Sequence, residues 1–236
     1  MIDLIIVIVV FSFIQSIFGI GLLLFGTPTL LLFGYSYSET LWILLPCSIV
    51  ISLIQTINNY NLIRVKKKVI YFTIPTMTLG LIFIVSYGHM LDINKIVGFF
   101  LLFIGVTNFS SKLQVYLQSF IVKKLRLYYA FIGLVHGISN MGGAPLSILM
   151  STIYVDKVKV RVNIAFVYLI LALFQLAVLI MFDGSGLRHV SITLMLIALS
   201  VYLITNRHTY YRFNNERYIF FINILILIYA VLAFLK

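Results

Sequence analysis

FIQSIFGIGLLLFGTP, from Phe13 to Pro28, and FIGLVHGISNMGGAP, from Phe131 to Pro145, nearly repeat each other. Each reads Phe-Ile, four residues, Gly-Ile, and then Gly-x-Pro, with Pro28 nine residues after Gly19 and Pro145 eight after Gly137. Phe13 and Phe131 are 118 residues apart, half of a chain of 236. Apolar segments interrupted by Gly and Pro at a half-chain offset are the mark of a duplicated membrane transporter. In such proteins the interruptions are where substrate binds.

The rest of the chain fits that frame. It is 62% hydrophobic and 10% charged, with a mean hydropathy of +1.13. A soluble domain cannot bury so much apolar surface, so the chain reads as an all-α, polytopic membrane protein. The amino terminus, MIDLIIVIVVFSFIQ, lacks a basic leader region and runs straight into the first repeat. It reads as a retained helix and not as a cleaved signal. A membrane helix needs about 20 apolar residues, which divides the chain into about eight segments: 2–34, 40–60, 69–88, 93–110, 127–153, 160–182, 187–206 and 217–235. The first and fifth are too long for one straight span and carry the repeats. Each is expected to be a helix, a Gly/Pro break and a shorter second piece. The organisation is then a first transmembrane repeat (1–110), a basic interfacial linker (111–126) and a second transmembrane repeat (127–236).

Seventeen Lys and Arg against six Asp and Glu give a net charge of +11. In a membrane protein basic residues gather in cytoplasmic loops, beside anionic headgroups, so the bilayer is the partner this charge implies. A nucleic-acid partner is not expected, because no loop is long enough to display a basic folded face. RVKKK (64–68) and the linker's Lys112, Lys123, Lys124 and Arg126 both belong on the cytoplasmic side. Arg207, Arg212 and Arg217 break the alternation if every segment crosses once, which leaves parallel and inverted repeats both open. The linker SSKLQVYLQSFIVKKLR is mildly amphipathic and is expected to lie along the interface between the halves. A single cysteine, Cys47, excludes disulfide frameworks, CxxC pairs and Cys-rich metal sites.

All six carboxylates, Asp3, Glu39, Asp92, Asp156, Asp183 and Glu216, fall at segment ends or in loops. That argues against a carboxylate relay, and against an intramembrane metalloprotease or aspartyl protease. No enzyme activity, cofactor or metal is expected. What remains at membrane depth is neutral and small: Gly19, Gly21, Gly26, Thr27 and Pro28, then His136, Gly137, Ser139, Asn140, Gly142 and Gly143. A broken helix exposes free N–H groups and a positive dipole end at the start of its second piece, and Pro is tolerated in that first turn. Two such starts, converging, would hold a small anion without a formal positive charge. The candidate site is therefore Gly26, Thr27, Gly142 and Gly143 as backbone donors, with His136, Ser139 and Asn140 as side-chain contacts.

The competing use of membrane glycines is close helix packing. His136, whose counterpart in the first copy is Phe18, reads equally as a structural hydrogen-bonding residue or a ligand. His89, His189 and His208 lie near segment ends. Gln55 and Gln175 end matched stretches, SLIQ and ALFQ, and read as interhelical glue or as substrate contacts.

At GIGLLLFGTPTLLLFG and GISNMGGAPLSILM the chain resembles the sulfite exporter TauE/SafE family, formerly grouped as toluenesulfonate uptake permeases, and the resemblance spans essentially the whole chain. Leu22, Leu23 and Leu24 stand where that family tends to carry more glycine. The resemblance implies a multi-pass protein of the cell membrane (the bacterial inner or plasma membrane) that moves a small anion by alternating access. Sulfite or an organosulfur anion is the implied substrate, and export the implied direction. An anion channel and a non-transporting membrane scaffold or assembly factor are the alternatives. Substrate identity, coupling ion and homo-oligomer formation are left open by the residues.

Overall fold

A computed structural model of the chain describes residues 2–183 and 189–208, together with 224, 227–232 and 235. The eighth expected segment, 217–235, falls largely outside the described residues, as do Arg212, Arg217 and Glu216. The described residues are helical and contain no strand. In chain order the helices are α1 (Ile2–Phe18), α2 (Leu22–Leu32), α3 (Tyr37–Asn58), α4 (Lys66–Tyr87) and α5 (Ile93–Phe109). They continue as α6 (Ser111–Lys123), α7 (Leu125–Ser139), α8 (Gly143–Ile153), α9 (Lys157–Asp183) and α10 (His189–His208).

Asp3, Glu39, Asp92 and Asp156 sit at helix starts, where N–H groups have no carbonyl a turn below, while Asp183 ends α9. Ser36 and Glu39 form a capping box on α3, the Ser36 hydroxyl accepting from the Glu39 N–H at 3.2 Å and the Glu39 carboxylate from the Ser36 N–H at 3.0 Å. Asp92 accepts from the Lys95 N–H at 3.1 Å to start α5, and Asp156 from the Val158 N–H at 2.8 Å to start α9. Asp3, Glu39, Asp92 and Asp156 are all exposed. Two prolines are absorbed inside helices by a local widening to i→i+5 bonding, at Leu22–Gly26 before Pro28 and at Val69–Thr73 before Pro75. Such widening makes room for a residue that lacks an N–H and whose ring crowds the carbonyl below.

The segments expected at 2–34 and 127–153 are each two helices, α1 with α2 and α7 with α8, separated at Gly19–Gly21 and at 140–142. Of the described helices, α3, α4 and residues 157–182 of α9 are each long and apolar enough to cross a membrane alone. The pair α5 and α6, bent by 102°, makes a fourth if counted as one. Helices α1, α2, α8 and the stretch Ile192–Thr205 are apolar but shorter.

The central pair is α3 packed on α9; α10 covers α3 and α1, while α4 packs on α7 and α9. Helices α4 and α7 approach backbone to backbone, with Gly133 facing the Thr73 carbonyl and Gly137 the Met77 carbonyl, and no room for a methyl at either. Here the packing use of glycine holds. Large apolar side chains such as Val10, Leu79, Phe83, Phe99 and Leu196 are turned outward, while Ser12, Gln15, Ser48, Ser52, Asn140 and Gln175 are buried. That distribution suits acyl chains as the solvent.

Candidate functional site

The second break is made by one residue. Helix α7 ends because Asn140 takes the left-handed conformation (φ 64°), the one non-glycine residue to do so among those described. Its N–H donates to the His136 carbonyl at 2.8 Å, and asparagine is the side chain that best tolerates this C-terminal turn. The Ser139 hydroxyl donates back to the Val135 carbonyl at 2.7 Å and accepts from the Met141 N–H at 3.3 Å. The chain then re-enters a helix at Gly143, with Pro145 in its first turn and the Leu146 N–H bonded to the Gly142 carbonyl at 3.0 Å. The N–H groups of Gly143 and Ala144 precede any carbonyl acceptor of their own helix.

Two glycines hold this turn against its neighbours. A methyl on Gly142 would meet the His136 side chain, 3.0 Å from Nδ1, and a methyl on Gly143 would occupy the place of the Tyr168 hydroxyl. The His136 and Tyr168 rings meet edge to face at 5.7 Å between centroids. His136, Ser139, Asn140, Thr27, Tyr168 and Gln175 are all fully buried. Within this packing two polar atoms, His136 Nδ1 and the Tyr168 hydroxyl, have no partner among the described residues, and both abut the start of α8.

A hydrogen-bond chain runs from that point to the other break. His136 Nε2 meets Gln175 Oε1 at 3.1 Å, Gln175 Nε2 donates to Asn140 Oδ1 at 3.3 Å, and Asn140 Nδ2 donates to Thr27 Oγ1 at 2.8 Å. Thr27 lies on α2 and Asn140 at the end of α7, 113 residues apart, so the last bond joins the two repeat motifs.

The first break is built differently. The Gln15 side chain folds over it: Oε1 accepts from the Leu22 N–H at 3.2 Å, while Nε2 donates to the Ser48 and Ser52 hydroxyls of α3 at 3.1 and 3.2 Å. Gln55 Nε2 donates to the Gln15 and Ser16 carbonyls at the end of α1, at 3.2 and 3.1 Å. The start of α2 is thus met by the protein's own amide, whereas among the described residues no side chain is recorded doing the same at the start of α8.

Of the sequence-predicted residues, the structure brings Thr27, His136, Ser139, Asn140, Gly142 and Gly143 together. Gly26 and Thr27 differ from expectation in one respect. The half-helix begins at Leu22 and not near Pro28, because the widened turn absorbs that proline; the Thr27 N–H is therefore committed to the Leu23 carbonyl. Thr27 offers its hydroxyl instead, and Gly26 lies against Leu44, where a methyl would come within 2.9 Å. Sequence reasoning missed Gln15 and Tyr168. Gln15 carried a usable signal, a polar residue inside an apolar repeat. Tyr168 carried none in a chain with 15 tyrosines.

A cavity of about 660 Å³ opens where α2 and α9 end and α3 and α5 begin, lined by Leu31, Tyr37, Leu41, Asp92, Asn94 and Leu179 among others. This is the end of the bundle opposite Lys66–Lys68, since α4 runs from one to the other. Its floor is about 6 Å, one helical turn, from the polar cluster: Leu31 lies four residues beyond Thr27, and Leu179 four beyond Gln175. Among the described residues no group of three or more His, Cys, Asp or Glu could hold a metal ion.

Long apolar helices and outward-facing hydrophobic side chains define a multi-pass membrane protein, with a buried polar cluster between its two interrupted helices. The chain belongs to the sulfite exporter TauE/SafE family, whose model matches residues 4–234. Membership implies a membrane transporter of the sulfite or small-anion type and agrees with a non-enzymatic role. No curated protein and no solved structure matches the chain.

Proposed function

We propose that the chain is a secondary transporter of about eight segments that binds a small oxyanion at the start of α8 and carries it by alternating access. The observation that carries this reading is the Asn140–Thr27 bond, which brings the two repeat motifs to one buried point beside unpartnered polar groups. There the Gly143 and Ala144 N–H groups and the Tyr168 hydroxyl are the donors, Asn140 and Ser139 shape the turn, and the dipole of α8 favours negative charge.

The packing supports two related halves, 1–110 and 127–236. Helix α1 packs on α10 as α7 packs on α4, α3 on α10 as α9 on α4, and α2 on α3 as α8 on α9, with α3 and α9 meeting each other. Each of these contacts has a counterpart when the halves are exchanged, which supports a two-fold relation, although the packing of α1 on α3 has none of similar extent. With Lys66–Lys68 on the cytoplasmic side of the plasma membrane, the 660 Å³ cavity is an external vestibule, closed from the site by one turn of Leu31, Leu41 and Leu179.

Sulfite and simple sulfonates are the first substrates to test, and export the first direction. Purified protein is screened for thermal stabilisation by sulfite, sulfate, a sulfonate and a carboxylate, then assayed in proteoliposomes loaded on either side. The proposal requires stabilisation by an anion together with saturable flux and counterflow, both lost when Asn140→Leu and Gly143→Val are combined. Flux without saturation would make the protein a channel. A scaffold would show neither flux nor ligand stabilisation, and intact flux in the double variant would sink the site assignment.

A further inference from the structure

The buried hydrogen-bond chain has a direction, and that direction fixes what His136 presents to the start of α8. With both amides in the orientation the structure assigns, Asn140 Nδ2 donates to Thr27, so its Oδ1 is free to accept from Gln175 Nε2. Gln175 then presents Oε1 to the imidazole, and an amide oxygen is an acceptor only. His136 Nε2 must carry the hydrogen in that bond. In a neutral imidazole the other nitrogen is then a bare lone pair. That nitrogen, Nδ1, has no partner among the described residues, is fully buried, and abuts Gly142 at the turn that opens α8.

A lone pair aimed at a buried anion is repulsive, and nothing there can turn away. Asn140 and Gln175 hold the ring from one side and Tyr168 packs edge-on at 5.7 Å. We propose that the site loads its oxyanion together with one proton: a proton from solution is held between His136 Nδ1 and an anion oxygen, while the Tyr168 hydroxyl and the α8 N–H groups bind the remaining oxygens. This rests on the anion site proposed above and adds its coupling. A monoanion then enters as a neutral pair, which lowers the cost of burying its charge. The proton leaves with the anion.

The groups facing His136 leave it as the proton acceptor. Tyr168 of α9 is the one titratable side chain recorded against its ring among the described residues. Helix α4 presents the Met77 and Leu81 backbone to α7 at Gly137, α2 presents Thr27 to the chain, and α8 presents Gly142. Helix α5 meets α7 through Phe103 and Ile104 near Phe131 and Val135. Lys123 of α6 and Arg126 of α7 lie at the far end of α7, ten or more residues or about 15 Å along the axis from His136.

Coupling of this sense draws the anion toward the alkaline side. A difference of one pH unit sustains about a tenfold anion gradient. Under an acid exterior the export proposed above therefore runs only while the internal anion exceeds the external by more than that factor, that is, against a small pH difference or from a high internal level.

The test uses the purified full chain and methanesulfonate, a monoanion that does not itself titrate between pH 5 and 8, so any pH dependence belongs to the protein. Binding is followed by thermal shift, and proton uptake by a pH dye in weak buffer. The expected result is an affinity that falls up to tenfold per unit as pH rises, with uptake approaching one proton per site. The variant carrying His89→Gln, His189→Gln and His208→Gln, which leaves His136 the sole histidine, is expected to keep both effects. His136→Gln is expected to lose the slope. Binding that is independent of pH and takes up no proton overturns the coupling and leaves the anion site standing. So does a slope that vanishes in the triple variant. If methanesulfonate, sulfite and sulfate all fail to bind at any pH, the anion site falls and the coupling with it. Proton uptake by the wild type needs no variant to fold and decides whether anion binding is proton-coupled; the triple variant then decides whether His136 carries it.

Discussion

Replacing Gly143 by alanine places a methyl group where the Tyr168 hydroxyl now lies. The tyrosine cannot swing aside, because its ring is fully buried and packed against His136. Overpacking of this kind costs about 1–3 kcal/mol, and Gly143→Ala is expected at the upper end because the obstacle sits on a rigid ring of a central helix. The structure also predicts how much can be recovered. Adding Tyr168→Phe removes the colliding oxygen but leaves the ring carbon that bore it 2.8 Å from the new methyl. Carbon atoms pack at about 3.5–4.0 Å, so the ring must still retreat by roughly 0.7–1.2 Å, and rescue is partial. The assay is reversible unfolding in mixed micelles for the two single variants and the double, as a mutant cycle, with anion flux measured on each. Stability is expected to rise in the double variant over Gly143→Ala by about 1 kcal/mol or more. Flux is expected to stay low, because the tyrosine donor is gone. A Gly143→Ala variant of wild-type stability, or a double variant no more stable than Gly143→Ala, would refute the close approach of α8 to α9 on which the site is built.

Asn140→Ala loses both side-chain bonds and places a Cβ-bearing residue without a polar side chain in the left-handed region, whereas Asn140→Gly loses the bonds alone. Alanine is expected to be the more destabilising by about 1 kcal/mol in the same unfolding assay. Gln15→Leu strands the Leu22 N–H and the hydroxyls of Ser48 and Ser52, and is expected to cost about 1–3 kcal/mol while leaving the affinity for the transported anion within a few-fold. At the surface, the Lys95 ammonium beside Asp92 holds that carboxyl below the usual carboxylate range. Its contribution is therefore present above the unfolded value near pH 4 and lost only as pH falls through the lower folded one. Asp92→Asn, which keeps the helix cap, is expected to match the wild type in melting temperature and flux from pH 5 to 8. Finally, Thr27→Cys with Asn140→Cys in a Cys47→Ala background is expected to cross-link under a mild oxidant and lose whatever flux the reduced pair retains; equal flux in the oxidised and reduced pair would mean that the two breaks never part.

The helical class, the broken first and fifth segments, and the polar residues of the second break were legible because each rests on a local rule. Apolar length reads as a membrane helix, and Asn140 beside Gly142 and Gly143 reads as a helix that stops and restarts. The first break was misplaced because Pro28 and Pro145 look alike in sequence and are accommodated differently. Pro145 sits in the first turn of a new helix, where it needs no N–H partner. Pro28 sits one widened turn inside α2, which starts at Leu22. Nothing in GIGLLLFGTP announces that widening, which depends on how α2 packs against α3. Tyr168 was invisible for a similar reason: its importance comes from which helix lies opposite Gly143, a tertiary fact. Gln15 was readable in principle, as a polar residue inside an apolar repeat; its side chain closes over the Leu22 N–H.

That closure bears on how one site can serve two sides of a membrane. If both breaks offered free N–H groups, an anion held between them would pin the halves together and resist release. Here Gln15 closes one helix start, and in the reading proposed above the start of α8, beside His136 Nδ1 and the Tyr168 hydroxyl, would attract the charge. The first copy instead contributes a hinge-like tie, α1 bound to α3 through Gln15, Ser48, Ser52 and Gln55, and a link between the two breaks through Thr27; away from the breaks the halves are also joined by Thr76 to the Ala130 carbonyl and by the Arg64 N–H to Asn163. Interhelical hydrogen bonds in membranes are worth about 0.6 kcal/mol on average, so parting Thr27 from Asn140 costs little. The packing of α3 on α9 is far larger and is expected to stay intact. The easy motion is then of α1 and α2 against α7 and α8 about the α3–α9 pair, which would lift Leu31 off the cavity floor and open the α8 start to the vestibule. In the alternating access proposed above, the same motion would leave the anion's contacts on one half unbroken until it departs, so that the second copy would recognise and the first copy would gate.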